Sequence, residues 1–223
     1  MNTIATTSTQ PSRFSRFATG KLNRASLSHT ASNLGVALLF FATLIPHAAN
    51  FGGAPANWIW IVGAALMGVL SLVRLPPIAT AINLRSVTAT AIMMLAPPLL
   101  LNNAAPSSGV LAVAALIVEL VGVIITQSAR LYLGRKFALL PANRGIVSRG
   151  PFAFIRHPIY AGWLILSVGY VMAYPNARNL LALAVTVPFM IWRIQLEEQL
   201  LQQDAAYRAY CAVTPYRLLP LIF

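Results

Sequence analysis

The sequence is poor in charged residues, above all in acids, and in residues that bind metals. Lys, Arg, Asp and Glu make up only 9% of its 223 residues, whereas soluble domains carry about 25%. Because 58% of the residues are hydrophobic, the composition predicts an integral membrane protein and excludes an ordinary soluble domain. A single cysteine, Cys211, excludes an internal disulfide, and three scattered histidines indicate no metal site.

The charges that are present are mostly basic. Sixteen Lys and Arg against four Asp and Glu give a net charge of +12. A nucleic-acid partner is not indicated, because the basic residues are spread along the chain and concentrate in alternate loops, which is typical of membrane topology. Residues 1–30 contain no acid and are rich in Ser and Thr. They are predicted to form a disordered, basic, cytoplasmic tail, although a transit peptide has a similar composition.

Six apolar segments are near the length that a helix needs to cross a bilayer. They cover about residues 31–46, 56–75, 87–101, 109–129, 159–174 and 180–196. We therefore predict an all-α, polytopic integral membrane bundle of about six transmembrane helices. Segments one to four occupy residues 31–129, and a C-terminal core occupies residues 130–223. Only a short turn separates the last two segments, which predicts a helical hairpin.

The loop charges predict the orientation. Basic residues lie in the tail, in the loop after the second segment and in the long loop of about residues 130–158, whereas the loops at about 47–55 and 102–108 have none. This pattern places both chain termini and the long loop in the cytoplasm. The long loop is expected to wrap over the cytoplasmic surface instead of forming a domain.

Two polar clusters lie at the cytoplasmic ends of the last two segments. The first is Arg156-His157-Pro158-Ile159-Tyr160, and Pro158 suits the first turn of a helix. The second contains Arg193, Glu197 and Glu198. Taken alone, the first cluster is equally well explained as a basic anchor at the cytoplasmic end of the helix, with a tyrosine at the membrane interface. The second is equally well explained as a surface ion pair between Arg193 and Glu197, which lie one helical turn apart. Because the hairpin brings both clusters to one side of the membrane, we expect them to bind a ligand jointly.

Other features of the membrane segments leave their roles open. Glu119, in the fourth segment, is either a functional acid facing a cavity or partner, or a protonated residue hydrogen-bonded to a neighbour. Gly162 and Gly169 predict the close approach of another backbone or a ligand. Residues 204–210 predict an amphipathic helix on the membrane, whose two tyrosines are packing or interface residues instead of catalysts.

Several short motifs lie in order within about residues 125–220. They are Leu133–Phe137, Ile146–Phe152, Arg156–Gly162, Arg193, Glu197-Glu198, Tyr207, Tyr210 and Pro215–Arg217. In this order and spacing they resemble the isoprenylcysteine carboxyl methyltransferase family, close to the membrane phospholipid methyltransferases. Residues 1–124 resemble that family only in being helical membrane segments. The resemblance implies an S-adenosylmethionine-dependent methyltransferase with a cytoplasmic cofactor pocket.

The resemblance also implies roles for individual residues. The expected cofactor-binding residues are Arg144, Ile146, Val147, Phe152, His157, Pro158, Ile159, Tyr160, Glu197 and Glu198. Arg144 stands where relatives commonly have His, and Phe152 where they usually have Tyr. Arg193 and Arg156 are the residues expected to act in catalysis, and Arg193 suits an acceptor carboxylate.

Two other functions remain as alternatives. Membrane sterol and enone reductases bind NADPH and have a related C-terminal core, but Ile159 and Trp163 stand here where they usually have Asn and Glu. If the protein were a non-catalytic membrane scaffold, Glu197-Glu198 would have no evident function. The expected acceptor is lipophilic: a prenylcysteine-like carboxylate is favoured over a lipid amine or a small apolar thiol or acid. The expected membrane is a bacterial inner membrane or an endomembrane, and the sequence indicates no oligomeric state.

Overall fold

Seven α-helices account for most of the chain that the structure describes. The computed structural model describes residues 24–42, 44, 56–100 and 106–220. The helices are α1 (Arg24–Ala42), α2 (Ala56–Leu72), α3 (Leu84–Leu100), α4 (Gly109–Leu133), α5 (Pro158–Ala173), α6 (Ala177–Leu201) and α7 (Ala205–Val213). The prediction of a mainly helical protein is confirmed over these residues.

The predicted segments correspond to α1–α6, but some of their ends differ. α1 begins at Arg24, so helix replaces the last residues of the tail predicted to be disordered. Residues 1–23 and the predicted loop at about 47–55 lie outside the described residues. α6 extends through Leu201, beyond the apolar segment predicted to end at about residue 196. Hydropathy alone underestimates the length of this helix, because its last turns carry polar side chains that are paired within the protein.

Among the described residues, two helical stretches are long and apolar enough to cross a membrane. They are residues 109–136 and Ala177–Leu201, while Ile61–Leu72, Leu84–Met94 and Pro158–Ala173 are apolar but shorter. α4 also exposes large apolar side chains along its length, among them Val110, Val113, Ile117 and Ile124. Such a face suits contact with lipid. The total of six spans remains a prediction.

α4 and α5 share the most extensive helix interface in the described chain. A Cβ atom added to Gly162 would lie 2.7 Å from the carbonyl oxygen of Gly122, and one added to Gly169 would lie 2.7 Å from Cγ of Glu119. Only glycine leaves room for helix backbones at this separation. The close approach predicted at Gly162 and Gly169 is therefore confirmed, and the neighbour is α4.

The other main helix pairs are α3 with α6 and α1 with α2. α5 and α6 are joined by a short turn, as predicted for the hairpin, but each packs mainly on another helix, α5 on α4 and α6 on α3. A buried apolar cluster lies between α3, α5, α6 and the C-terminal tail. Its members are Met93, Ile155, Ala161, Met190, Ile194 and Leu218. This cluster fixes the ends of α5 and α6 that carry the predicted polar clusters.

Two loops meet at the same end of the bundle. β1 (Ala79–Thr80), which follows α2, pairs antiparallel with β2 (Ala142–Asn143) in the long basic loop. The backbone N–H of Leu75 also donates to the carbonyl of Arg135 at 2.8 Å. The two basic loops that the charge pattern assigns to one side of the membrane therefore lie together.

Candidate functional site

The candidate site forms where the start of α5 meets the end of α6. Pro158 occupies the first turn of α5, where a missing N–H is harmless. Just before it, the backbone N–H groups of Arg156 and His157 donate to the carbonyls of Tyr216 and Arg217, each at 2.9 Å. These bonds hold the C-terminal tail alongside the start of α5.

Glu198 is the centre of a buried ion cluster. Its side chain is 3% exposed, and Oε1 lies 3.1 Å from Nη1 of Arg156 and 3.2 Å from Nε2 of His157. Nε of Arg217 donates to Oε2 at 2.7 Å, and the Tyr207 hydroxyl lies 3.4 Å from Oε1. A carboxylate paired in this way has its charge and hydrogen-bonding needs met inside the protein. The cluster therefore fastens α5, α6, α7 and the tail together.

Arg156 is also bound to the C-terminal region directly. Its Nη1 lies 3.1 Å from Sγ of Cys211, and its Nη2 donates to the carbonyl of Pro215 at 2.9 Å. Burial opposes the charged form, but the contacts with Cys211 and Glu198 outweigh it and raise the pKa of Arg156 above its usual value. Arg156, expected to act in catalysis, is thus placed in the ion cluster, where it positions the tail.

A second polar group lies beside the ion cluster. Nε of Arg193 donates to the Tyr160 hydroxyl at 2.6 Å, and this hydroxyl donates to Oε2 of Glu197 at 2.9 Å. Arg193 is only 5% exposed, which rules out the alternative of a surface ion pair. Glu197 is half-buried. The tyrosine of α5 thus links two residues of α6 that the sequence places one turn apart.

The remaining nitrogens of Arg193 bind distant parts of the chain. Nη1 donates to the Thr90 hydroxyl of α3, and Nη2 donates to the carbonyl of Leu139 in the long loop. A guanidinium has five N–H donors, and described residues of the protein accept from each of its three nitrogens. Sequence reasoning missed Thr90 and Leu139, because only the packing of α3 on α6 and the path of the loop bring them here.

The tyrosines of α7 pack inside the protein, as expected. Tyr207 and Tyr210 are 3% and 8% exposed. The Tyr210 hydroxyl donates to the carbonyl of Phe152 at 2.6 Å, and burial raises the pKa of Tyr210 to about 12. Phe152, one of the predicted cofactor-binding residues, is itself buried and anchors α7 through its backbone.

The other predicted cofactor-binding residues are buried to different extents. Pro158 is fully buried, while Ile159 and Val147 are half-buried. The carbonyl of Ile146 accepts a hydrogen bond from Nζ of Lys136 at 2.9 Å.

Arg144 and Glu119 take part in none of the hydrogen bonds or ion pairs described for the two polar groups. Arg144 has another cation, Arg74, as its electrostatic neighbour. Glu119 is 4% exposed at the α4–α5 interface, and its Oε1 has no hydrogen-bond partner among the described residues. The described residues contain no group of three or more His, Cys, Asp or Glu placed to hold a metal ion.

Residues 110–203, which include both polar groups of α5 and α6, match the model of the isoprenylcysteine carboxyl methyltransferase (ICMT) family. The chain is 38% identical over 94 residues to protein-S-isoprenylcysteine O-methyltransferase A of Arabidopsis thaliana, covering 40% of this chain and 48% of that protein. It is 34% identical over 90 residues to protein-S-isoprenylcysteine O-methyltransferase B of the same plant, covering 38% and 46%. The chain thus spans about half the length of the curated relatives it matches.

Proposed function

Because residues 110–203 match the model of the isoprenylcysteine carboxyl methyltransferase family, we propose that the protein is an S-adenosylmethionine-dependent membrane methyltransferase. The observation that best supports this function is the hydrogen-bonded series Arg193–Tyr160–Glu197. It holds a half-buried carboxylate in a fixed orientation at the end of α6. An oriented carboxylate of this kind suits a ligand that carries hydroxyl groups and positive charge.

The two neighbouring glutamates fit different tasks. An ionised carboxylate has about four lone-pair sites, and Tyr160 occupies one of those of Glu197. The others suit the ribose hydroxyls or the ammonium group of S-adenosylmethionine. Glu198 is buried and paired with three basic side chains, so we assign it to the scaffold and Glu197 to the methyl donor.

The reaction requires positioning more than proton transfer. S-adenosylmethionine supplies, when bound, a methyl group on a positively charged sulfur. In transfer to a carboxylate, an O–C bond forms as the C–S bond breaks, the sulfur keeps the electron pair, and no proton has to move. The protein must hold the reacting atoms about 3–3.5 Å apart in line and exclude water. The ion cluster around Glu198 provides the rigidity that this alignment needs.

We propose a lipophilic acceptor with a carboxylate, of the prenylcysteine type. Both relatives are named protein-S-isoprenylcysteine O-methyltransferases, and the guanidinium of Arg193 suits a carboxylate. The exposed apolar face of α4 is consistent with an acceptor that arrives from the bilayer. This assignment makes Arg193 the residue that contacts the acceptor and Tyr160 the link between acceptor and donor.

We also propose a multi-pass topology with the site and both termini in the cytoplasm, in a bacterial inner membrane or an endomembrane. The pairing of β1 with β2 supports it, because it joins two loops that both carry basic residues. Such residues favour the cytoplasmic side of a membrane.

Thermal unfolding in detergent tests the donor assignment. S-adenosylhomocysteine should stabilise the protein, by about 2.7 kcal/mol at a concentration one hundred times its Kd. Stabilisation by NADPH in its place would favour a reductase, and no response to either compound would favour a scaffold. Both of these results contradict the proposal.

Methyl transfer itself is tested with labelled S-adenosylmethionine and an N-acetylated prenylcysteine. We expect a base-labile methyl ester on this acceptor. The matched control is the same compound with a carboxamide in place of the carboxylate, which should not be labelled. Equal labelling of both compounds would contradict a carboxylate acceptor.

A further inference from the structure

The buried guanidinium of Arg193 is held by neutral groups. Its three nitrogens donate to the Tyr160 hydroxyl, the Thr90 hydroxyl and the carbonyl of Leu139. The carboxylate of Glu197 is linked to it through Tyr160. Because a buried charge is unfavourable unless it is hydrogen-bonded, these three acceptors decide the direction in which the guanidinium faces.

The hydroxyl of Thr90 serves Arg193 as an acceptor. Its single O–H donates to the carbonyl of Ser86, one turn earlier in α3, at 2.7 Å. A threonine hydroxyl has one donor and two acceptor lone pairs, so the lone pairs remain for Nη1 of Arg193. Thr90 is only 6% exposed, and solvent therefore competes little for this bond.

The start of α3 fixes the position of Thr90. The side chain of Asn83 accepts from the N–H of Ser86 at 2.9 Å, and the Ser86 hydroxyl accepts from the N–H of Asn83 at 3.1 Å. Such a reciprocal pair is a capping box, which satisfies N–H groups that the start of a helix leaves unpaired. Because the carbonyl of Ser86 accepts from Thr90, the capping box and the Thr90 hydroxyl belong to one hydrogen-bonded series.

The same series continues towards Leu139. The Ser86 hydroxyl donates to the carbonyl of Ala81 at 2.7 Å, and the N–H of Ala81 donates to the carbonyl of Pro141 at 3.1 Å. Leu139 lies two residues before Pro141 in the long loop. The groups that hold Nη1 and Nη2 of Arg193 are therefore two ends of one connected structure.

Apolar packing keeps α3 against α6 beside this contact. Met93 of α3 belongs to the same buried cluster as Met190 and Ile194 of α6. Met93 lies three residues after Thr90, and Met190 lies three residues before Arg193. Residues three apart are neighbours on a helix surface, so the apolar cluster and the Thr90–Arg193 bond join the same faces of the two helices.

We propose that Thr90 is a positioning residue, which fixes the plane of the Arg193 guanidinium and thereby sets how tightly the acceptor carboxylate binds. A guanidinium binds a carboxylate best through parallel N–H···O bonds in its own plane, so rotation of Arg193 would weaken that contact. Thr90 precedes residues 110–203, which match the family model, so the acceptor site extends beyond the matched region. The contact with the acceptor rests on the proposed function, whereas the Thr90–Arg193 bond does not.

The kinetic test is Thr90→Val, which keeps the shape of the side chain and removes the hydroxyl. We expect KM for an N-acetylated prenylcysteine to rise about tenfold with little change in kcat, as for loss of a hydrogen bond that orients a charged group. The Kd of S-adenosylhomocysteine should stay the same, because Thr90 does not contact Glu197. Thr90→Ser restores the hydroxyl and should return KM close to that of wild type.

Thr186→Val in α6 is the matched control. The Thr186 hydroxyl also donates to a carbonyl one turn earlier, that of Ala182, at 2.6 Å, and Thr186 is fully buried. A merely structural loss should affect both valine variants alike, whereas a positioning role predicts that only Thr90→Val raises KM for the acceptor. An equal rise in both variants, or no rise in Thr90→Val, would overturn the inference.

A double-mutant cycle in thermal unfolding tests the contact without methyl transfer. Because Thr90 and Arg193 share one bond, combining Thr90→Val with Arg193→Met should lower the unfolding temperature by less than the two single losses together. Additive losses would overturn the contact. A wild type that methylates no prenylcysteine would overturn the proposed function and the acceptor contact together, and the cycle would still decide whether Thr90 orients Arg193. If Thr90→Val does not fold, Thr90→Ala takes its place in both tests.

Discussion

Arg217 donates a hydrogen bond from Nε to Oε2 of Glu198 at 2.7 Å, which ties the C-terminal tail to the last turns of α6. The same carboxylate meets Arg156 and His157 at the start of α5. One buried acid thus joins three parts of the chain. Its neighbour Glu197 accepts the Tyr160 hydroxyl and lies half-buried beside it. The different surroundings of these two glutamates lead to the first prediction.

Glu198→Gln should destabilise the protein, whereas Glu197→Gln should not. Loss of the Glu198 charge leaves Arg156 and Arg217 without a counter-charge, which costs about 3–5 kcal/mol for a buried pair. Thermal unfolding followed by circular dichroism measures the difference between the two variants.

Glu197→Gln should instead weaken binding of S-adenosylhomocysteine, by about tenfold or more, because a charged acceptor of hydrogen bonds is lost. Each variant serves as the control for the other. Equal losses of stability in both, or unchanged affinity in Glu197→Gln, would contradict the separation of roles.

Tyr160→Phe should reduce turnover without unfolding the protein. The hydroxyl links Nε of Arg193 to Oε2 of Glu197, and its loss leaves both groups less well oriented. We expect a fall in kcat/KM of about tenfold to a hundredfold, as for a misplaced positioning group. Tyr132→Phe is the control, because Tyr132 is 48% exposed, and steady-state methylation by this variant should match wild type.

Gly162→Ala should destabilise the α4–α5 pair. The added methyl group would lie 2.7 Å from the carbonyl oxygen of Gly122, so the helices must separate, at a cost of about 1–3 kcal/mol. Gly35→Ala in α1 is the matched control, since a Cβ there meets no atom within 4 Å and alanine favours a helix by about 1 kcal/mol. An unfolding temperature lowered equally in both variants would argue against the close contact.

Glu119→Met should raise the unfolding temperature. Oε1 of Glu119 is buried without a partner among the described residues, and leaving such a group unsatisfied costs about 1–3 kcal/mol. Thermal unfolding in detergent measures the gain, and methyl-transfer assays of the same variant show whether the acid also has a functional role. A less stable Glu119→Met would indicate that the acid is paired.

Much of the fold could be predicted from the sequence because apolar segments and loop charges are local properties. The six segments correspond to α1–α6, and the short turn predicts that the ends of α5 and α6 lie near each other. The sequence could not show that α5 packs on α4 and α6 on α3. This pairing depends on close contacts such as Gly122 with Gly162, which join residues far apart in the chain.

The candidate site was predictable in its main residues but not in their arrangement. Arg193, Tyr160 and Glu197 stand out as polar side chains at the ends of apolar segments. Thr90 and the carbonyl of Leu139, which complete the surroundings of Arg193, leave no comparable pattern. A hydroxyl in an apolar helix and a carbonyl in a loop are common, and only packing gives them a role.

The sequence by itself predicted a helical membrane protein with three of its four acids within residues 197–204, and its motifs resembled a known family. Only the tertiary structure decided what each acid does. Adjacent residues on a helix point about 100° apart, so Glu197 and Glu198 face different neighbours. Those neighbours include Arg217 of the tail and Tyr160 of α5, and their positions follow from long-range packing that residue spacing does not encode.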